Sequence, residues 1–198
     1  MGALLDQETR TYAEAWGFEE YADHSPGAAH VGRFLEMAGL EPGVARERWR
    51  NLTILDAGAG SGKGALALQA LGFGVELLDI TPDGLVPEAR GLAFHTGALW
   101  TPFAATAGCF DYVYCCDVLE HLDESMTMLA IARMLEAATR GLFLSISLVP
   151  DQFGILVGRP LHLTVRPFTW WRDRIRELGA LDECRDLIDA GLFYVRPR

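Results

Sequence analysis

Short apolar runs bounded by glycine, proline or an acid alternate along this chain with longer stretches whose apolar residues recur every three or four positions. The short runs predict strands near 52–56, 74–79, 92–95, 110–116 and 142–148, and the longer ones predict helices near 62–71, 84–90 and 123–139. Strand and helix in alternation imply a mostly parallel sheet covered on both faces. Upstream, 3–16 and 28–40 read as two helices joined by Asp23-His24-Ser25-Pro26-Gly27, an N-terminal cap. Downstream, Pro167 opens a helix running to about 178. Residues 180–198 then alternate around Asp189-Ala190-Gly191 in the manner of a closing hairpin. There is no internal repeat, low-complexity tract or second domain, so the expected organisation is one domain, 1–198. It divides into a helical cap (1–50), a ligand-binding core (51–150) and an acceptor loop, helix and hairpin (151–198).

The first of these strands leads into the most informative stretch, Leu52-Thr53-Ile54-Leu55-Asp56-Ala57-Gly58-Ala59-Gly60-Ser61-Gly62-Lys63-Gly64. A strand that ends on an acid and turns through three glycines lets backbone N–H groups approach a ligand closely. A phosphate loop needs Gly-x-x-x-x-Gly-Lys-Ser/Thr, and here Ala57 and Gly64 occupy its two ends. The dinucleotide fingerprint fits only from Gly60 through Gly62 to Ala65, later than the strand end allows. One helix further on, Gly74-Val75-Glu76-Leu77-Leu78-Asp79-Ile80 is a second strand ending in an acid. Such a carboxylate can accept hydrogen bonds from both ribose hydroxyls of a nucleoside, a role common to several nucleotide folds.

The frame Asp-x-Gly-x-Gly-x-Gly from Asp56 to Gly62 resembles the first motif of the class I S-adenosylmethionine-dependent methyltransferases. The run Phe110-Asp111-Tyr112-Val113-Tyr114-Cys115-Cys116-Asp117-Val118-Leu119-Glu120-His121-Leu122 resembles the fourth-strand region of the same family. With Asp79 between them, the likeness covers about residues 50 to 150. It implies a Rossmann-like, doubly wound, mostly parallel seven-stranded α/β sheet with a C-terminal antiparallel hairpin, and S-adenosyl-L-methionine as cofactor. Before the fifth strand many relatives carry a Pro-Gly-Gly turn; this chain has Ala137-Ala138-Thr139-Arg140-Gly141, a turn rebuilt from other residues.

By the same resemblance, Asp56, Gly58, Gly60 and Gly62 cradle the methionine end of the cofactor. Asp79 and Ile80 meet the ribose, Leu99 and Trp100 wall the adenine, and Asp117 and Val118 lie beside the sulfonium. Ala98 stands where many relatives place an acid near the adenine amino group. Each assignment has a plainer alternative: Asp56 caps backbone N–H groups, Asp79 caps the helix after Thr81-Pro82-Asp83, and Trp100 is core. Methyl transfer is an in-line displacement in which alignment alone supplies up to roughly 7 to 11 kcal/mol, and a base is needed only if the acceptor arrives protonated. His121 is the leading catalytic candidate, because imidazole titrates near neutral pH and follows the fourth strand by a few residues. Its alternative is a loop-organising histidine. His162, in the loop after the fifth strand, is a second candidate, and Tyr21 and His24 are candidate acceptor contacts from the cap. Trp170-Trp171 reads as helix-to-sheet packing, since adjacent helical positions point about 100° apart.

Composition narrows the partners. The 198 residues carry a net charge of −10 with Lys63 as the single lysine, which argues against a nucleic-acid substrate. The arginines at 159, 166, 172, 174 and 176 are interleaved with Asp173 and Glu177, the pattern of a solvated mixed-charge face. No apolar stretch approaches the roughly 18 to 20 residues that span a bilayer, and Met1-Gly2-Ala3-Leu4-Leu5-Asp6 lacks signal-peptide character, so cytoplasmic residence is expected. The cysteines at 109, 115, 116 and 184 have no metal or redox spacing, and Cys115 and Cys116 should point to opposite faces of a strand. The expectation is therefore a small-molecule O- or N-methyltransferase, without nucleic-acid or membrane partners. Its rivals are a non-catalytic S-adenosylmethionine-binding module and a nicotinamide-dependent oxidoreductase, which the glycine frame and the 111–122 segment disfavour.

Overall fold

The computed structural model describes residues 2–23, 25–41, 49–101 and 109–198. Three helices, α1 (Gly2–Ala15), α2 (Glu19–Asp23) and α3 (Gly27–Met37), precede an alternating core. The core runs β1 (Thr53–Ala57), α4 (Lys63–Leu71), β2 (Gly74–Asp79), β3 (Ala93–Thr96), β4 (Phe110–Cys116), α5 (Glu124–Ala137), β5 (Ala138–Ser147), α6 (Phe168–Leu178), β6 (Ala180–Asp186) and β7 (Ala190–Arg196). The seven strands form one sheet in the order β3-β2-β1-β4-β5-β7-β6. All neighbours pair in parallel except across β7, which runs antiparallel to both β5 and β6. The expected Rossmann-like architecture with its closing hairpin is present.

Two hydrophobic clusters flank the sheet, and strand alternation divides the side chains between them. Val113 and Cys115 of β4, with Leu142, Leu144 and Ile146 of β5, pack with Ile131, Met134, Trp171 and Ile175 of α5 and α6. The intervening Tyr112, Tyr114 and Phe143 face the other way, with Phe34 of α3 and Ala65 and Leu68 of α4. Cys115 and Cys116 accordingly lie on opposite faces. Phe34 is wholly buried with its ring edge-on to those of Tyr112, Tyr114 and Phe143, and the Tyr114 hydroxyl donates to Gly27 O at 2.5 Å. The cap is thus bolted to the sheet. Trp171 is fully buried and Trp170 only partly, as expected of packing residues. Among the described residues, no helix is long and apolar enough to cross a membrane.

Three local readings need correction. Residues 137–141 are no turn: α5 ends at Ala137 and β5 begins at Ala138, with a register shift against β4 between Phe110 and Tyr112. Thr139 Oγ1 donates to Phe110 O and Arg140 pairs with Asp111 at 2.6 Å, so contacts with the start of β4 hold extended backbone there. The helix expected near 84–90 is a single 3-10 turn, Pro87–Gly91, because two prolines and Gly84 leave no room for an α-helix. Arg159 is not part of a solvated face; it forms a two-pronged pair with the buried Glu8 of α1, at 2.8 and 2.9 Å.

Gly62 is the left-handed N-cap of α4, with φ +74°, and a Cβ there would lie 2.5 Å from the Ala89 Cβ. It serves close packing against the 3-10 turn. Gly62→Ala is expected to destabilise by about 1–3 kcal/mol, which for a domain of this size lowers Tm by about 2–4 °C per kcal/mol. Thermal denaturation of the variant checks this.

Candidate active site

After β3 the chain crosses back from the edge of the sheet to β4, beside β1, so the carboxyl ends of β1 and β4 border a topological switch point. A cavity of about 490 Å³ opens there. Gly58 and Ala59 donate their N–H groups to Leu78 O at 2.8 and 3.2 Å, which folds the glycine turn over the end of β2. Asp79 then fastens the turn: Oδ2 accepts from Gly60 N at 2.8 Å, and Oδ1 from Ile80 N at 2.7 Å. Gly58 has φ +76°, and a Cβ on it would lie 2.4 Å from Val118 Cγ2. A side chain is therefore excluded twice, by dihedral angle and by space. Asp56 lies under the first turn of α4 and accepts from the Ala65 N–H. Burial pushes its carboxyl up to about 7, against the helping hydrogen bond and with the Asp79 charge adding to the rise. Burial likewise raises Asp79, opposed by backbone N–H groups of Gly60, Thr81 and Ile80.

At the end of β4, Asp117 takes a left-handed conformation with φ 52°, uncommon outside glycine. Its N–H donates to Ser145 O at 2.9 Å, and Ser145 Oγ donates to its Oδ1 at 3.0 Å, which fixes the strained turn. The 3-10 turn Leu119–His121 follows. Glu120 is fully buried: Oε1 accepts from Ser147 N at 2.9 Å, and Oε2 has no hydrogen-bond partner among the described residues. Burial raises this carboxyl well above the usual range, and the Asp117 charge adds to the effect. Its own carbonyl accepts from Leu163 N and Thr164 N at 2.8 and 2.9 Å, which pins the loop carrying His162.

That pinning brings two imidazoles together from 41 residues apart in sequence. The His121 and His162 ring centroids are 4.7 Å apart, edge to face. His121 Nδ1 lies 3.2 Å from Leu161 O, and His162 Nδ1 lies 2.7 Å from Val149 O. Carbonyls only accept, so each Nδ1 carries a proton. Asp151 braces the same loop, accepting from Leu161 N and His162 N at 2.9 and 3.2 Å and also from Gly154 N. Burial pushes this carboxyl up, but the donors of His162, Gly154 and Leu161 outweigh it and hold Asp151 below its ordinary value.

The roof comes from the cap. Tyr12 of α1 meets His121 edge-on at 5.7 Å, and its buried hydroxyl has no partner among the described residues. Tyr21 of α2 stands between Trp16 and Phe153, at 4.8 and 5.6 Å. The Glu8–Arg159 pair ties α1 to the segment after the 3-10 turn Gly154–Val157.

Most of the side chains singled out from sequence thus meet at one cavity. Asp56, Gly58, Gly60, Asp79 and Ile80 line one part of it, and Leu99 and Trp100 the wall after β3. Asp117, Val118, His121, His162 and Tyr21 line the remainder. Gly62 does not line the cavity, and His24 lies outside the described residues. Sequence reasoning missed Glu8, Tyr12, Trp16 and Glu120, all of which line it. Glu120 had a signal, as an acid inside the same Leu-Glu-His-Leu run that carries His121. The three α1-side residues had none beyond membership of an amphipathic helix.

A switch-point cavity under a glycine turn, with an acid at the end of each of the first two strands, defines an α/β protein built to hold a nucleoside cofactor. Residues 55–142 match a family model described as a methyltransferase domain. No curated protein sequence matches the chain. Among solved structures, the chain is similar to 1,6-didemethyltoxoflavin-N1-methyltransferase of Burkholderia thailandensis, with bound 1,6-didemethyltoxoflavin and S-adenosylhomocysteine. The identity is 15% over 99% of this chain and 88% of that one, with a TM-score of 0.67. It is similar also to the PH0226 protein of Pyrococcus horikoshii OT3, at 15% identity over 91% and 100% of the two chains and a TM-score of 0.62. A third neighbour is magnesium protoporphyrin IX methyltransferase of Synechocystis PCC 6803 with bound S-adenosylmethionine, at 20% identity over 85% and 79% and a TM-score of 0.61. At these identities the likeness is one of fold. Over residues 55–142 the match and the motif residues in place are those of a class I S-adenosylmethionine-dependent methyltransferase domain, with S-adenosylmethionine as its cofactor.

Proposed function

We propose that this enzyme transfers the methyl group of S-adenosylmethionine to an oxygen or nitrogen of a small-molecule metabolite or biosynthetic intermediate. The observation that carries this is the continuity of the cavity. One space of about 490 Å³ borders the glycine turn, both strand-end acids and the His121–His162 pair, under a roof of aromatic side chains. That volume falls within the roughly 300–1,000 Å³ of small-molecule sites, and a net charge of −10 disfavours a polyanionic acceptor. The small acceptors named for the Burkholderia and Synechocystis neighbours support the same class.

In this reading the glycine turn and Asp56 take the methionine end and Asp79 takes the ribose hydroxyls, beside Ile80. Leu99 and Trp100 flank the adenine; the Trp100 indole N–H is buried with no partner among the described residues, a donor suited to a ring nitrogen. Asp117 and Val118 lie next to the sulfonium. Tyr21 and its aromatic neighbours hold the acceptor, and His121, with His162 beside it, handles the acceptor's proton. A cofactor bound in the opposite sense would leave Asp79 without hydroxyls to meet.

Calorimetry with S-adenosylhomocysteine and with NAD, followed by turnover against hydroxyl, carboxylate and amine acceptors, tests the proposal. Micromolar-range binding of the first, negligible binding of NAD and methylation of a small acceptor are expected. Comparable NAD affinity, or methyl transfer confined to macromolecules, would overturn it.

The Asp56 carboxyl sets a pH dependence. With its pKa near 7 in the empty site, the group is largely protonated at pH 6 and largely ionised at pH 8. A cofactor bearing an ammonium and a sulfonium binds the ionised form better, so affinity is expected to rise across this window and level off above it. Calorimetric titrations of S-adenosylmethionine from pH 6 to 8 check this, and Asp56→Asn should flatten the profile. The sign for stability is opposite. The folded empty protein holds this proton more tightly than the unfolded chain, so its contribution is full below the unfolded pKa and is lost as pH rises toward 7.

A further inference from the structure

We infer that Glu120, His121 and His162 form a binding site for one first-row divalent transition-metal ion of the zinc type, at the acceptor end of the cavity. One carboxylate oxygen and one nitrogen from each ring lie within 4.8 Å of one another. The groups are arranged as metal ligands are. Each imidazole has its Nδ1 at a backbone carbonyl, Leu161 O for His121 and Val149 O for His162, so in the neutral ring the donor nitrogen for an ion is Nε2. A ligating histidine is oriented by the same device. Glu120 presents Oε2, buried and without a hydrogen-bond partner among the described residues, while Ser147 N holds Oε1.

Two imidazole nitrogens and one carboxylate oxygen favour zinc and its first-row neighbours over magnesium or calcium, which take oxygen ligands. Ligand bonds of about 2.0–2.2 Å would draw the three atoms to roughly 3–3.5 Å of each other, a closure within reach of small side-chain torsions. Three protein ligands leave at least one coordination position open, the arrangement of catalytic rather than structural sites. All three ligands line the cavity, so the open position is available to the acceptor.

Resting on the methyltransferase reading, this site selects an acceptor whose reacting atom is an oxygen, from a hydroxyl or a carboxylate, that can bind the ion. A coordinated hydroxyl becomes more acidic and loses its proton to water. Its oxygen then forms the new C–O bond as the S–CH3 bond breaks, and the sulfonium leaves as the neutral thioether S-adenosylhomocysteine. A lone pair given to the ion cannot also take a proton, so activation passes from imidazole to metal.

The test titrates Zn2+ and Co2+ into the full-length protein after chelation, with Mg2+ as the control and S-adenosylhomocysteine calorimetry on the same samples. Expected are one equivalent of Zn2+ or Co2+ bound, a Co2+ ligand-field spectrum, and no comparable Mg2+ binding. His162→Ala and the near-isosteric Glu120→Gln should each weaken Co2+ by more than about 100-fold, beyond the ~10–100-fold typical of outer partners. Wild-type protein that takes up neither ion, or either variant binding Co2+ as the wild type does, would overturn the site. Intact S-adenosylhomocysteine binding in that event leaves the methyltransferase reading standing, whereas its absence in folded protein counts against that reading independently.

Discussion

His121→Ala is expected to lower turnover by about 10²- to 10⁴-fold, the range for loss of a group that manages a proton in the transition state, with S-adenosylhomocysteine affinity unmoved. The two halves of this expectation have different origins. The ring lies 4.7 Å from His162 and 5.7 Å from Tyr12, at the end of the cavity served by the loop after β5. The proposed cofactor end is organised by Asp79 and the glycine turn, whose hydrogen bonds run to Gly60 N and Ile80 N. His121→Asn, which can hydrogen bond but not take a proton at neutral pH, separates positioning from proton handling. An asparagine no better than alanine excludes simple positioning, and Co2+ binding by the same variants then tells proton handling from loss of a metal ligand. Near-normal turnover in both variants would leave His121 as a loop-organising residue and methyl transfer to alignment alone.

The second large effect is expected at the other end. Asp79→Ala should weaken S-adenosylhomocysteine by at least about 10- to 150-fold, the equivalent of roughly 1.5–3 kcal/mol for one charge-assisted hydrogen bond. Two costs act in the same direction. The carboxylate is the ribose acceptor in the proposed pose, and it also holds Gly60 N at 2.8 Å. Its removal therefore slackens the turn proposed to meet the methionine end. Asp79→Asn keeps much of the shape without the charge and should fall between wild type and alanine. Calorimetry on folded variants, verified by circular dichroism, measures the loss. Unchanged affinity in folded Asp79→Ala would remove it from the site.

What could be read from sequence follows from distance along the chain. Asp56, Gly58, Gly60 and Asp79 stand within two strand ends and one turn, so their grouping is written in local order. The same holds for Asp117, Val118 and His121. Strand alternation likewise placed Cys115 and Cys116 on opposite faces. Glu8, Tyr12 and Trp16 were illegible because they reach the cavity only when α1 docks across it, and nothing in helical spacing says what a helix will face. Glu120 was overlooked beside His121, since a buried acid next to a strand end resembles an ordinary surface acid until its surroundings are known. The segment 137–141 misled because its small residues suit a turn, whereas β4 and Asp111 hold it as strand.

The Glu8–Arg159 pair has a consequence for how the two ends of the cavity come and go. Asp79 and Gly60 are 19 residues apart, while Glu8 and Arg159 are 151 apart. Three doublings of separation raise the entropy of closing the chain by about 2 kcal/mol. On the proposed function, the chamber for the acceptor is therefore expected to assemble later and to loosen earlier. Warmed or placed in mild denaturant, the molecule would forget which acceptor it prefers while still holding its nucleoside.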